Sequence, residues 1–173
     1  MKRPLLWLLG SLLLTLAACS FTVTVDIPEQ RFQAQALPNT QGRILYPKEA
    51  TRFNPPPVAP KSVVLTGTLE ASQTLNTTIS FYVRLEDPSK ERTCQDLSLY
   101  GIPAYACPVG PADEKVGEAQ FQGTQASLTL QGAKLTQGIA QGQFWLGLEA
   151  QGLPSRMVTF TLKNAKATVT VGL

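Results

Sequence analysis

The sequence contains no histidine in 173 residues. That removes Ser-His-Asp and Cys-His nucleophilic chemistry, histidine general acid–base catalysis and zinc sites built on imidazole. No GxxxxGK[ST] or GxGxxG segment occurs, so the backbone cradles that hold nucleotide phosphates are missing as well. Beyond the first 18 residues there is no cluster of four or more basic residues, and nucleic acid is therefore not an expected partner. No later segment carries an apolar period of 3.6 over three turns, which argues against a helical framework. Lys134 to Gln141 could form one helical turn, weakened by Gly138. On these absences the chain is not read as an enzyme, and neither a cofactor nor a metal is expected.

What is present begins at the N-terminus. Lys2 and Arg3 precede an uncharged apolar run from Leu5 to Ala18 that ends in small residues. The run is short of the ~20 residues a bilayer span needs, and the layout is that of a secretory signal. Leu16-Ala17-Ala18-Cys19 resembles the lipobox of bacterial lipoproteins, and the resemblance covers the leader alone. It implies that residues 1–18 are cleaved and that the Cys19 sulfur carries a diacylglyceryl group, making the membrane a partner. Two acyl chains suffice for stable anchoring. By the same resemblance, Ser20 rather than aspartate after the cysteine favours the outer membrane, facing the periplasm or the cell surface.

Loss of the leader takes Lys2 and Arg3 with it, leaving 13 basic against 12 acidic residues. Three cysteines are an odd number for an exported chain. Lipidation of Cys19 leaves Cys94 and Cys107, separated by twelve residues in a turn-rich stretch. A disulfide is expected in an oxidising compartment, where such a loop stabilises by about 3 kcal/mol. A zinc site would need two further ligands.

The mature chain reads as all-β. Residues 19–27 hold the anchor and a first strand, with strict apolar–polar alternation in Phe21-Thr22-Val23-Thr24-Val25-Asp26-Ile27. Residues 28–60 form a proline-rich connector, interrupted at Pro28, Pro38, Pro47, Pro55, Pro56, Pro57 and Pro60, with one short strand candidate at Arg43–Tyr46. Residues 61–173 form a β-sandwich domain. Alternation at 63–71 and 79–86 reads as a hairpin turning at Ser72-Gln73-Thr74. Further strands are expected around 118–121, 126–131, 142–150 and 156–171. In the last, apolar residues move from even positions (Val158, Phe160, Leu162) to odd ones (Val169, Val171), which requires a turn, a bulge or a change of sheet near Lys163–Lys166. Short strands punctuated by turns favour a single antiparallel β-sandwich, of which the immunoglobulin-like arrangement is one form.

Three aromatic residues form a candidate contact surface. Tyr100 and Tyr105 lie in the disulfide loop with Leu97, Leu99, Ile102 and Val109, an apolar load that either plugs the end of the core or presents a contact patch. Trp145 shares a strand face with Gln143, Gly147 and Glu149, where it is either a platform for a ligand or is covered by the connector. The acidic pairs Glu86-Asp87 and Asp113-Glu114 read as solvated turn charge rather than calcium ligands. The expected function is a lipid-anchored envelope module that contacts an envelope protein. The alternative is a surface lipoprotein that binds a glycan or small molecule.

Overall fold

A computed structural model describes residues 20–149 and 151–172. Cys19 and the leader lie outside the described residues. The domain is all-β and antiparallel, with strands β1 (Phe21–Ile27), β2 (Gln30–Ala34), β3 (Arg43–Pro47), β4 (Thr51–Arg52), β5 (Ser62–Arg84), β6 (Gln95–Asp96), β7 (Ala104–Pro108), β8 (Glu114–Gln131), β9 (Gln143–Glu149) and β10 (Val158–Val171). One helix, α1 (Ala133–Gln141), interrupts them. The strand order is β1-β10-β5-β9-β3-β7-β6, with β2 also on β10, β4 on β9 and β8 on β5.

The expected hairpin at Ser72-Gln73-Thr74 does not form. Ser62 to Arg84 run as one strand of 23 residues. Ser72-Gln73-Thr74 holds no Gly, Pro, Asn or Asp, the residues that set a tight turn. Ser72 Oγ instead accepts a hydrogen bond from the Thr159 N–H at 3.0 Å, tying the segment to β10. β5 pairs antiparallel with β8, which follows β6 and β7 in the chain, from Val64 opposite Gln131 to Val83 opposite Glu114. It bends where residues 71–74 stand opposite Thr124 alone.

That bend makes the sandwich. The first half of β5 carries β10, with β1 and β2 beyond it; the second half carries β9, β3, β7 and β6. The two layers close over Leu69, Val158 and Phe160 from one side and Ile79, Phe81, Phe121 and Leu148 from the other, all buried. The Phe121 and Phe160 rings meet across the gap with centroids 6.0 Å apart. Burying one such side chain stabilises by about 1.5–3 kcal/mol. Gly117 marks where the halves of β8 touch: an added Cβ would stand 2.1 Å from the Thr129 carbonyl oxygen.

The phase change in β10 is a bulge. Lys163 and Lys166 stand opposite Thr68 and Thr66, so two residues face one, and Asn164 takes a φ of 51°. The extra residue restores the apolar side chains beyond it to the core side, with Ala165 and Val171 buried. Residues 28–60, expected as a connector with one short strand, contribute β2, β3 and β4. Ile44, Leu45 and Tyr46 of β3 are all buried, because β3 lies between β7 and β9 and is covered on both faces. Helix α1 is longer than the single turn expected. Its first backbone N–H groups, at Ala133 and Lys134, donate to the Glu114 carboxylate at 3.1 and 2.6 Å, a charge suited to a helix N-terminus.

Candidate functional site

Two strands raise large side chains on the face away from the main core. Arg84 of β5 stands opposite Trp145 of β9, and Tyr82 opposite Gly147. In an antiparallel pair, directly opposed residues share a face. β3 and β7 extend that face with Ile44 opposite Cys107 and Tyr46 opposite Tyr105. Ile44, Tyr46, Cys107 and Trp145 bury one another as a second cluster, flanked by Ala50, Tyr82, Cys94 and Tyr105. The glycine at 147 allows it, because a side chain there would run into the Tyr46 ring and Ile44.

Arg84 is the polar centre of this cluster and is 1% exposed. Its Nε stands 3.1 Å from Asp113 Oδ1, and the Asp113 side chain is fully buried. Its Nη2 donates to Glu91, and its Nη1 lies 3.6 Å from both Cys94 Sγ and Cys107 Sγ. The guanidinium carbon sits 5.2 Å from the centre of the Tyr46 ring. Tyr46 donates its hydroxyl hydrogen to Asp113 Oδ1 at 2.8 Å, and Asp113 Oδ2 accepts the Gly110 N–H at 2.8 Å. A buried ion pair is costly unless its remaining lone pairs and protons find partners. Here Tyr46 and Gly110 serve the Asp113 oxygens and Glu91 serves Arg84 Nη2, while Arg84 Nε meets Asp113 as an ion pair without an aligned hydrogen bond. Burial raises the Tyr46 pKa above the ordinary phenol range, reinforced by the Asp113 charge beside it. Tyr46 therefore stays protonated and acts as a donor. Glu91 is held below the usual carboxylate range by its hydrogen bond from Arg84.

This cluster clamps the disulfide loop. Cys94 and Cys107 are bonded as expected. β6 pairs with β7, and β7 with β3, so both ends of the loop belong to the sheet. Inside it, Leu97 is 1% exposed and Ile102 packs against the main core. At the tip, a short 3₁₀ turn at Ser98–Tyr100 holds Leu99 at 95% exposure and Tyr100 at 54%. The Ser98 N–H is capped by Asp96 Oδ1 at 2.8 Å. Val109, just past the disulfide, is also exposed. The loop thus plugs the end of the core with Leu97 and Ile102 and leaves Leu99 and Tyr100 exposed at its tip.

Of the residues expected to form a contact surface, Tyr100 alone is prominently exposed. Tyr105 is half-buried in β7, with Lys48 Nζ 5.4 Å from the centre of its ring. Lys48 is itself paired with Asp96 at 2.8 Å, and that hydrogen bond brings the Asp96 carboxyl down to about 2. Trp145 is not a surface platform: it is 4% exposed, because Ile44 and Tyr46 fill the space at Gly147 and the segment after β3 covers the rest. Cys19 lies outside the described residues. Asp113, expected as solvated turn charge, is buried against Arg84, and Glu114 is engaged at the helix terminus.

No protein family, curated protein or solved structure matches this chain. Among the described residues, no group of three or more His, Cys, Asp or Glu side chains stands together as a metal site, and no helix is long and apolar enough to cross a membrane. A polar cleft of about 390 Å³ opens beside the cluster, lined by Lys48, Glu49, Ala50, Arg52, Asp87 and Trp145. Sequence reading missed Arg84. Its signal was the pairing of two strands, Tyr82/Arg84 and Trp145, whose supposedly wet faces both carry large side chains.

Proposed function

We propose that the chain is a lipid-anchored cell-envelope lipoprotein, held in the outer membrane through Cys19, whose β-domain is a non-catalytic module that contacts an envelope protein. The anchor reading rests on the leader motif at Leu16–Cys19. The contact reading is carried by one observation: Leu99 and Tyr100 stand exposed on a loop fixed by a disulfide and a buried arginine. A leucine held out in water by a rigid support is pre-organised for a partner's pocket, since little conformational entropy remains to be lost on binding. Aromatic anchors of this kind often carry 2 kcal/mol or more, roughly, at interfaces.

Photo-crosslinking in the native host tests it, with the reactive amino acid at position 99 and, as control, at Gln120 on the outer side of β8. Specific adducts with one envelope protein at 99 and none at 120 are expected. Equal, non-specific labelling at both positions contradicts the contact reading.

A second reading has its own observation. The cleft beside Trp145 presents Lys48 and Arg52 with Glu49 and Asp87, which suits a small ligand bearing charges of both signs. Saturable binding of such a ligand, lost in Arg52→Ala with folding intact, would favour it over the protein contact.

A further inference from the structure

β1 lies on one edge of the sheet and carries the longest row of exposed apolar residues among the described ones. Phe21, Val23 and Val25 are 57%, 44% and 50% exposed. They stand opposite Val171, Val169 and Ala167 of β10, and beyond those lie Val63 and Leu65 of β5. Val63 and Val171 are buried. The row is thus the outer continuation of the core-facing side of the sheet. The other side of the same strand carries Thr22, Thr24 and Asp26, opposite Thr170, Thr168 and Lys166. Edge strands that meet water on both sides usually carry charge, proline or a bulge to discourage association. The Phe21–Val23–Val25 side carries none of these.

We propose that this side of β1 rests in the boundary between headgroups and acyl chains of the bilayer that anchors the chain. The inference depends on the lipid-anchor reading given above. Its physical basis is distance. A strand advances about 3.4 Å per residue, so an acylated Cys19 lies within about 7 Å of Phe21. The lipid then holds the row beside one apolar phase at an effective concentration that no free second copy matches. Amphipathic helices lying in a membrane interface bury their apolar side about 5–10 Å deep, and an apolar strand edge of Phe and Val would enter the shallow part of the same zone. The polar side, with Thr22, Thr24 and Asp26, is left facing water. The domain therefore sits edge-down on the membrane with an orientation fixed by β1, in place of swinging on a tether.

The test uses the full chain, matured in a bacterial host and reconstituted into phosphatidylcholine vesicles with brominated acyl chains. Val23→Cys and Thr24→Cys are each labelled with an environment-sensitive fluorophore, and fatty-acid incorporation is measured on the same preparations. Bromine is expected to quench the probe at 23 several-fold more strongly than the probe at 24. Equal quenching at the two positions, in protein that carries the fatty acid, overturns the proposal while leaving the anchor intact. Crosslinks between copies through residue 23, with the probe protected from bromine, overturn it in favour of a second copy. Absence of fatty acid from the wild-type chain removes the anchor reading, and this proposal with it.

Discussion

The Tyr46 ring occupies the space in which a side chain at Gly147 would stand: an added Cβ would lie 2.5 Å from Tyr46 Cε1. Ile44 Cγ2 would be 2.6 Å away, so neither neighbour can yield without moving the other. Gly147→Ala is expected to cost about 1–3 kcal/mol through overpacking. Trp145→Ala on the same face is expected to cost about 3–5 kcal/mol, as a buried tryptophan does. Urea denaturation of both variants checks this, and unchanged midpoints would show that the second cluster is not packed as described.

Arg84 is worth more as a partner than as a packing element. Arg84→Met leaves the Asp113 carboxylate buried without its cationic partner, and about 3–5 kcal/mol of stability should be lost. Adding Asp113→Asn should restore a substantial part, because the uncompensated charge is then gone. A double-mutant cycle measures the coupling. Strictly additive losses would mean that the two residues act independently.

Tyr46 gives the domain an alkaline limit. Its folded pKa is raised, chiefly by burial, while the unfolded phenol ionises near the ordinary value of about 10. Below that pH both states hold the proton and the contribution to stability is complete. Above it the unfolded state loses the proton first, so stability falls as pH rises. Lys48, Lys115 and Lys163, raised by their carboxylate partners, add to the same decline. Tyr46→Phe is expected to be less stable at neutral pH, since Asp113 loses a donor, yet to lose stability less steeply in the alkaline range. Parallel slopes for wild type and variant would contradict the assignment.

The disulfide constrains the loop that carries Leu99 and Tyr100. Replacing Cys94 and Cys107 by serine should cost about 3 kcal/mol from the unfolded-state entropy of a loop of this size. It should also raise hydrogen exchange across Gln95–Pro108 more than in β5 or β8. Uniform exchange changes across the domain would mean that the bond does not act locally.

How far sequence pattern reaches is visible strand by strand. The period-2 alternation at Phe21–Ile27 located a strand, although its apolar side is left exposed, and the phase change near Lys163 was legible because it follows from which side chains β10 must bury. The disulfide was legible from cysteine parity. Ser72–Thr74 was misread as a turn because a wide bulge in a long ribbon leaves the same break in alternation as a hairpin does. Trp145 was ambiguous for a different reason. Alternation gives the side of a strand but not what lies over it, and the cover here comes from Ile44 and Tyr46, about a hundred residues away in sequence. The Arg84–Asp113 pair was hidden for the same reason: a charge in a turn looks solvated until the fold brings its partner.

The proposed lipidation of Cys19 is tested most directly by metabolic labelling with a clickable fatty-acid analogue. The wild-type chain should incorporate the label and fractionate with membranes, and Cys19→Ala should do neither. Equal incorporation by the two chains, or an unlabelled wild type found wholly in the soluble fraction, would contradict the account.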